Sequence, residues 1–379
     1  MAFDFSPRTR LVFGDDASQR LGELARELGF RRTLLIADRG IVGTGQVDRA
    51  EASLIAAGIT TSRFHDFDSN PTSATVEAGR AFAAPLEIDS IVAFGGGSSL
   101  DQAKGINFLL TNGGRMQDYR GYGLATHPLL PMIAVPTTAG TGSEVQAYAL
   151  IMDATTHAKM ACGDPTAAFR IAILDPLLTV TQPRTVTAAS GYDALAHAVE
   201  TAVTSRRHPL SRMFSLEAWR LLAPNFPRVL SQADDLDARR AMQLGACYAG
   251  MAIDCSMLGA AHACANPLTA RYGTTHGLAL SAVLPAVVEW NALQVGDIYR
   301  DLLRVIGTEA EERDSGRSLA DLLRSLAAVA ELPLHVRDLG ASREDLPLLA
   351  SAAAKEWTGT FNPRPFDSSG ALDIYSAAF

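Results

Sequence analysis

The stretch RIAILDPLLTVTQPRTVTAASGYDALAHAVETAVTS, residues 170–205, changes character partway along and thereby divides the chain. Its opening, RIAILDP, is a short apolar run closed by Asp-Pro, the pattern of a buried strand meeting a turn. After about Pro183 the β-branched runs thin out, and the long segments carry apolar residues at helical spacing. Upstream, short apolar runs alternate with amphipathic stretches. TLLIAD (33–38), SIVAFGGG (90–97) and PMIAVPTTAGTGSE (131–144) read as further strands, the last two running into small-residue loops, and ASQRLGELARELGF keeps helical spacing. Strand, loop and helix in repetition mark a largely parallel α/β sheet. The pattern predicts an α/β domain over 1–180 and an all-helical domain over 181–379. Helices are expected over 187–204, 209–223, 236–263, 276–291, 297–307, 317–330 and 343–354.

A chain of 379 residues with 47% hydrophobic and 20% charged residues has the composition of a globular protein with a large core. Its net charge of −8 argues against nucleic acid or an acidic membrane surface as a general partner. Cys162, Cys247, Cys255 and Cys264 show no CxxC spacing and read as buried thiols in a reducing compartment. The N-terminal residues MAFDFSPRTRLVFG lack a signal-type apolar region, and no run of about 18 apolar residues suggests a membrane span. A cytoplasmic location is expected, with neither nucleic acid nor membrane as a partner.

Four residues carry the chemistry of the second half. Asp193 and His197 stand at i, i+4 in GYDALAHAVE, so a carboxylate and an imidazole project from one helix face a turn apart. His262 and His276 follow in AAHACANPLTA and RYGTTHG. One carboxylate and three imidazoles make a complete ligand set for a divalent metal such as Zn²⁺ or Fe²⁺. His65, His127, His157, His208 and His335 have no partner at ligand spacing and read as surface or cap residues.

The first half offers a nucleotide site. GGGSSLDQAKG (95–105) follows one strand candidate and opens a helix, whose free N–H groups and positive dipole end suit a diphosphate. Its glycines do not match GxGxxG. PTTAGTGSE (136–144) adds the hydroxyls of Thr137, Thr138, Thr141 and Ser143, and two such loops at neighbouring strand ends form the crevice where open α/β sheets bind ligands. Asp38, at the end of TLLIAD, can accept from a ribose diol and would repel a 2′-phosphate, favouring NAD. It can equally serve as a helix cap, and Arg39 beside it could accept a phosphate.

Taken together, LLIADRGI, SNPT (69–72), GGGSSLDQAK, PTTAGTGSEV, GYDALAHAVE, AHACANPLTA and RYGTTHG resemble the iron-containing, group III alcohol dehydrogenase family. The likeness runs from RLVFGDDAS near the start to FNPRP near the end. It implies a dehydroquinate synthase-like plan: an N-terminal Rossmann-like domain, a helical metal-binding domain, and the active site in the cleft between. By the same resemblance Asp193, His197, His262 and His276 are metal ligands, with Fe²⁺ ahead of Zn²⁺. Asp38, Asn70, Gly95, Gly96, Gly97, Ser98, Thr137, Thr138, Ser143 and Lys159 are NAD(H) contacts, whereas Asp101 and Lys104 orient the glycine loop. A homodimer is implied too.

The activity implied is reversible hydride transfer between a primary alcohol or its aldehyde and NAD(H). Many family members carry a histidine where this chain has Asn266, a position associated with proton relay or substrate contact. Asn cannot titrate near neutral pH, which puts the route of proton release in question. Two alternatives stay open at this point. One is reduction of an acidic substrate, of the maleylacetate or phosphonate aldehyde type, with Arg271 near His276. The other is a dehydroquinate synthase-type lyase, which the small apolar residues around the ligands disfavour.

Overall fold

The computed structural model describes residues 5–379. The chain divides into two compact units, one comprising residues up to Thr138 together with Gly142–Gln182, the other Ala139–Thr141 and Pro183–Phe379. The loop Ala139–Thr141 groups with the helical unit, an assignment that a boundary drawn along the sequence has no means of making.

The α/β unit is built on six parallel strands: β1 (Arg10–Phe13), β2 (Arg32–Ile36), β3 (Thr60–Phe64), β4 (Ser90–Gly95), β6 (Met132–Pro136) and β9 (Ile171–Leu174), in the order β1-β9-β6-β4-β2-β3. Helices α1 (Leu21–Glu27), α2 (Arg39–Val42), α3 (Gln46–Ala56), α4 (Ser73–Ala83) and α5 (Gly97–Asn112) connect them. Alternate residues of each central strand serve opposite faces. Leu34, Ile91 and Met132 meet Val76, Leu100 and Ile106 of α4 and α5, while Leu35, Val92 and Ile133 meet Leu21, Leu24, Val47 and Leu54 of α1 and α3. Both faces are thus covered, as a parallel sheet requires. A second sheet went unforeseen: β5 (Gly121–Tyr122), β7 (Tyr148–Met152) and β8 (Lys159–Gly163), with β7 and β8 antiparallel.

The chain leaves β2 for β3 on one side and returns through β4 on the other, so the carboxyl ends of β2 and β4 flank a topological switch point. Asp38 and the glycine run lie at those two ends.

The helical unit comprises α6 (Arg184–Val203), α7 (Pro209–Ser231), α8 (Leu236–Ser256), α9 (Ala260–Tyr272), α10 (His276–Val305), α11 (Ser315–Val329), α12 (Leu346–Ala353) and α13 (Ser368–Ala377). Two expectations need correction. The helix predicted over 236–263 is two helices, bent by 105° where Met257 takes a left-handed φ of 72°. The two helices predicted over 276–291 and 297–307 are met: α10 is two helical segments joined at a kink, where Val295 leaves helical geometry with φ −139° and ψ 24°. The helix predicted to stop at 223, before Pro224, continues to Ser231, because Phe226, Val229 and Leu230 are buried in the bundle. α10 is also long and apolar enough to cross a membrane, which the sequence reading passed over, but 67% of its apolar window is buried inside the protein, as in a core helix.

Candidate active site

α6 presents Asp193, His197 and Glu200 at i, i+4 and i+7, one inward face of a helix whose residues from Gly191 to Val203 are all buried. The bend after α8 then aims the first turn of α9, with His262, at that face. His276 arrives as the first residue of α10. Its close approach depends on the next residue: a Cβ on Gly277 would lie 2.1 Å from the carbonyl oxygen of Ala189, on α6. Only glycine lets the start of α10 rest on the α6 backbone.

The outcome is convergence on one oxygen. Asp193 Oδ1 lies 3.2 Å from His197 Nε2, 3.6 Å from His262 Nε2 and 4.0 Å from His276 Nε2. Asp193, His262 and His276 form the tight set, each offering a donor atom within 4.8 Å of the others, and His197 joins through the carboxylate. With metal–donor bonds of about 2.1 Å, donors around a tetrahedral ion stand about 3.4 Å apart, so the spacing suits one cation. Asp193 Oδ1 and His262 Nε2 are buried and lack hydrogen-bond partners among the described residues. Two such acceptors facing each other are costly unless a cation lies between them, so the residues fit a divalent metal.

The electrostatics of His197 and Asp193 suit a ligand set, and that of His262 differs. Burial pushes His197 down to about 4, against the pull of Asp193, which keeps the ring in the neutral form a metal ligand needs. Burial would raise the Asp193 carboxyl, yet the rings of His197, His262 and His276 hold it far below the usual carboxylate range. His262 is lowered by burial but carried up to about 9 by the neighbouring Glu200 and Asp193 carboxylates, so the ring favours a positive charge here, and a cation would have to displace one ring proton to bind.

Glu200 is the residue that sequence reasoning missed. It is 4% exposed; its Oε2 contacts His262 Nδ1 at short range, and its Oε1 accepts the Ala261 N–H at 2.7 Å. The signal was present in GYDALAHAVE, since 193, 197 and 200 share a helix face.

Asn266, one turn beyond His262, donates through Nδ2 to Glu356 Oε2 at 2.8 Å. Arg271 is paired with Asp345 at 2.7 Å and lies over the Tyr272 ring, so the cation that kept an acidic substrate open already has a carboxylate. Of the remaining histidines, His208 is the N-cap of α7, as a cap reading requires.

In the α/β unit the expected nucleotide residues gather at the switch point. Gly95 has φ +144°, and a Cβ there would lie 2.4 Å from Ser99 Oγ. Gly96 N-caps α5, and Thr137 N–H donates to Gly95 O at 3.0 Å. The Asn70 N–H donates to Ser98 Oγ at 3.1 Å. Asp38 is a helix cap, as the sequence allowed: its Oδ1 caps α2 through the Ile41 N–H, and its Oδ2 accepts from Ser99 Oγ at 2.9 Å beside the glycine turn. Arg39 pairs instead with Asp66 and Asp68. The small-residue turn and first-turn N–H groups fit a diphosphate.

Ser143 is held by protein partners. Its hydroxyl donates to Asp101 Oδ1 at 2.5 Å and accepts from Lys104 Nζ at 3.0 Å. That ammonium, fully buried, also reaches the carbonyls of Ser143, Gln146 and Tyr148 at 2.7 to 2.9 Å. Ser143, Asp101 and Lys104 thus tie this loop to α5. Lys159, on β8, adds positive charge near Asp101.

Comparison with known proteins agrees with this arrangement. Residues 7–176 match the family model described as iron-containing alcohol dehydrogenase, and residues 187–379 match that of the Fe-containing alcohol dehydrogenase family, C-terminal. The chain is 33% identical to 1,3-propanediol dehydrogenase of Klebsiella pneumoniae, over 100% of this chain and 99% of that one. It is 32% identical to lactaldehyde reductase of Escherichia coli K12, over 97% of each. A crystal structure of a 1,3-propanediol oxidoreductase superposes with a TM-score of 0.96, at 32% identity and full coverage of both chains. A convergent carboxylate–imidazole set, a parallel-sheet nucleotide crevice and likeness along the whole length lead to one conclusion: this chain belongs to the iron-containing alcohol dehydrogenase family, enzymes that oxidise alcohols and reduce aldehydes with NAD(H) and a divalent metal.

Proposed function

We propose that this enzyme moves hydride reversibly between a small primary alcohol or its aldehyde and NAD(H), with Asp193, His197, His262 and His276 as the ligands of the divalent ion. The single observation that carries the reading is the approach of three imidazole Nε2 atoms to one Asp193 oxygen. Bound there, the ion supplies Lewis acidity at the substrate oxygen, favouring the deprotonated alcohol in one direction and the polarised carbonyl in the other. The protein's own contribution is to keep His197 neutral, Asp193 ionised and the surroundings small and apolar, so that charge at the site is poorly screened.

In this reading residues 1–180 hold the cofactor and 181–379 the metal. Asp38, Asn70, Gly95, Gly96, Gly97, Ser98, Thr137, Thr138, Ser143 and Lys159 are the proposed NAD(H) contacts, with Fe²⁺ ahead of Zn²⁺ at the metal site. NAD is preferred over NADP because Asp38 would repel a 2′-phosphate and Arg39 is held by two acids. A cytoplasmic homodimer without nucleic-acid or membrane partners completes the proposal. The relatives named for 1,3-propanediol and lactaldehyde point to short, hydroxylated substrates. The pairing of Arg271 with Asp345 speaks against an acidic one.

A panel of short diols, hydroxyaldehydes and acidic aldehydes, followed by NADH absorbance with metal content measured on the same sample, tests this. Turnover of short alcohols that scales with bound metal is expected. Turnover independent of metal would overturn it.

A further inference from the structure

We propose that Glu200 is the positioning residue of the metal centre, setting which nitrogen of His262 is free to bind. This rests on the metal-ligand reading above. The carboxylate has two distinct tasks. Oε1 accepts the Ala261 N–H at 2.7 Å, in the first turn of α9, where a helix leaves N–H groups without intrahelical partners. Oε2 meets His262 Nδ1. A carboxylate oxygen accepts from Nδ1–H, so Nε2 is the ring nitrogen directed at Asp193 Oδ1, 3.6 Å away, and the one that would bind a cation. Because α6 also carries Asp193 and His197, one helix face supplies two of the donors and orients a third.

The arrangement makes a discriminating substitution available. Glu200→Gln keeps size and shape, but an amide has one acceptor and one donor end. With the amide oxygen still accepting from the Ala261 N–H, the NH₂ must face Nδ1, which then becomes the lone-pair nitrogen. The proton moves to Nε2, where it points at the metal position. The flipped amide would set NH₂ against the Ala261 N–H instead. Glu200→Ala merely removes the acceptor and leaves His262 free to take either tautomer. The near-isosteric change is therefore expected to be worse than the truncation, the reverse of what a packing role predicts.

The test is Zn²⁺ affinity by chelator competition for the full-length wild type, Glu200→Gln and Glu200→Ala, with circular dichroism and NADH titration as checks on folding. A loss of about 10- to 100-fold is expected for Glu200→Ala, and a larger one for Glu200→Gln. In the Zn²⁺-loaded wild type, ¹⁵N-histidine spectra should show a protected proton on His262 Nδ1, a measurement that needs no variant to fold. Wild type that binds Zn²⁺ with His262 Nδ1 unprotonated, or with Glu200→Gln at wild-type affinity, overturns the assignment alone. Wild type that takes up no Zn²⁺ or Fe²⁺ overturns both this assignment and the metal reading beneath it.

Discussion

At the scale of the residue, the division of labour is testable one side chain at a time. His262→Ala and His276→Ala are each expected to lower kcat by on the order of 10³-fold or more, since stabilisation of charge at the reacting oxygen is the largest single contribution to such catalysis. NADH affinity, read by fluorescence titration, should stay close to wild type, because neither ring belongs to the α/β unit. Asp38→Gly is expected to narrow the gap in kcat/KM between NAD and NADP; a wild type that already prefers NADP would refute the role given to Asp38. Glu144 supplies a stability prediction. Burial lifts its carboxyl to about 7, above the 4.5 of a free side chain. The folded protein thus holds a proton that the unfolded chain has lost, and stability falls as pH rises between those two values. The loss is absent below the window and complete above it, on the order of 3 kcal/mol. Glu144→Gln should therefore raise Tm at pH 8 and change it little at pH 4, measured by calorimetry. The four metal-binding candidates were legible in the sequence because their residue types are costly to bury and rarely coincide in order. Glu200 shares a helix face with Asp193 and His197, but that signal carries little by itself, since a glutamate inside a helix reads as solvent-facing until the helix is known to be wrapped by others.

At the scale of the element, the site is a product of how three helices are started. α10 must begin against the α6 backbone, and Gly277 permits it. Gly277→Ala is expected to cost about 1–3 kcal/mol through overpacking and to push His276 away from Asp193. Lower metal content together with a lower Tm would bear this out, and unchanged metal content would count against it. The break between α8 and α9 was hidden because CSMLGAAHAC keeps helical spacing and no proline interrupts it; a left-handed Met257 is imposed by tertiary packing, not by propensity. Pro224 misled in the opposite sense: a proline forfeits one hydrogen bond, and the buried apolar face of α7 outweighs that loss. The strands of the large sheet were easier, because β4, β6 and β9 are continuous apolar runs ending in glycine, proline or aspartate. β3, with only Phe64 buried, carries no such run.

At the scale of the whole molecule, each unit has its own core: helix on helix in one, two helix layers on a sheet in the other. Ligand removal should then act selectively. A metal held by α6, α9 and α10 stabilises the helical unit by about 2.7 kcal/mol at a hundredfold excess over Kd. Chelation is accordingly expected to lower the thermal transition of that unit, seen by calorimetry, while NADH binding survives; simultaneous loss of both would contradict independent cores. The placement of Asp193, His197 and Glu200 on one face of α6 has a wider consequence. One inserted or deleted residue between Asp193 and Glu200 would turn the later side chains by about 100° and scatter the set. This helix is therefore closed to length variation, and a lineage seeking new substrates has to do so through connections whose length is free to drift.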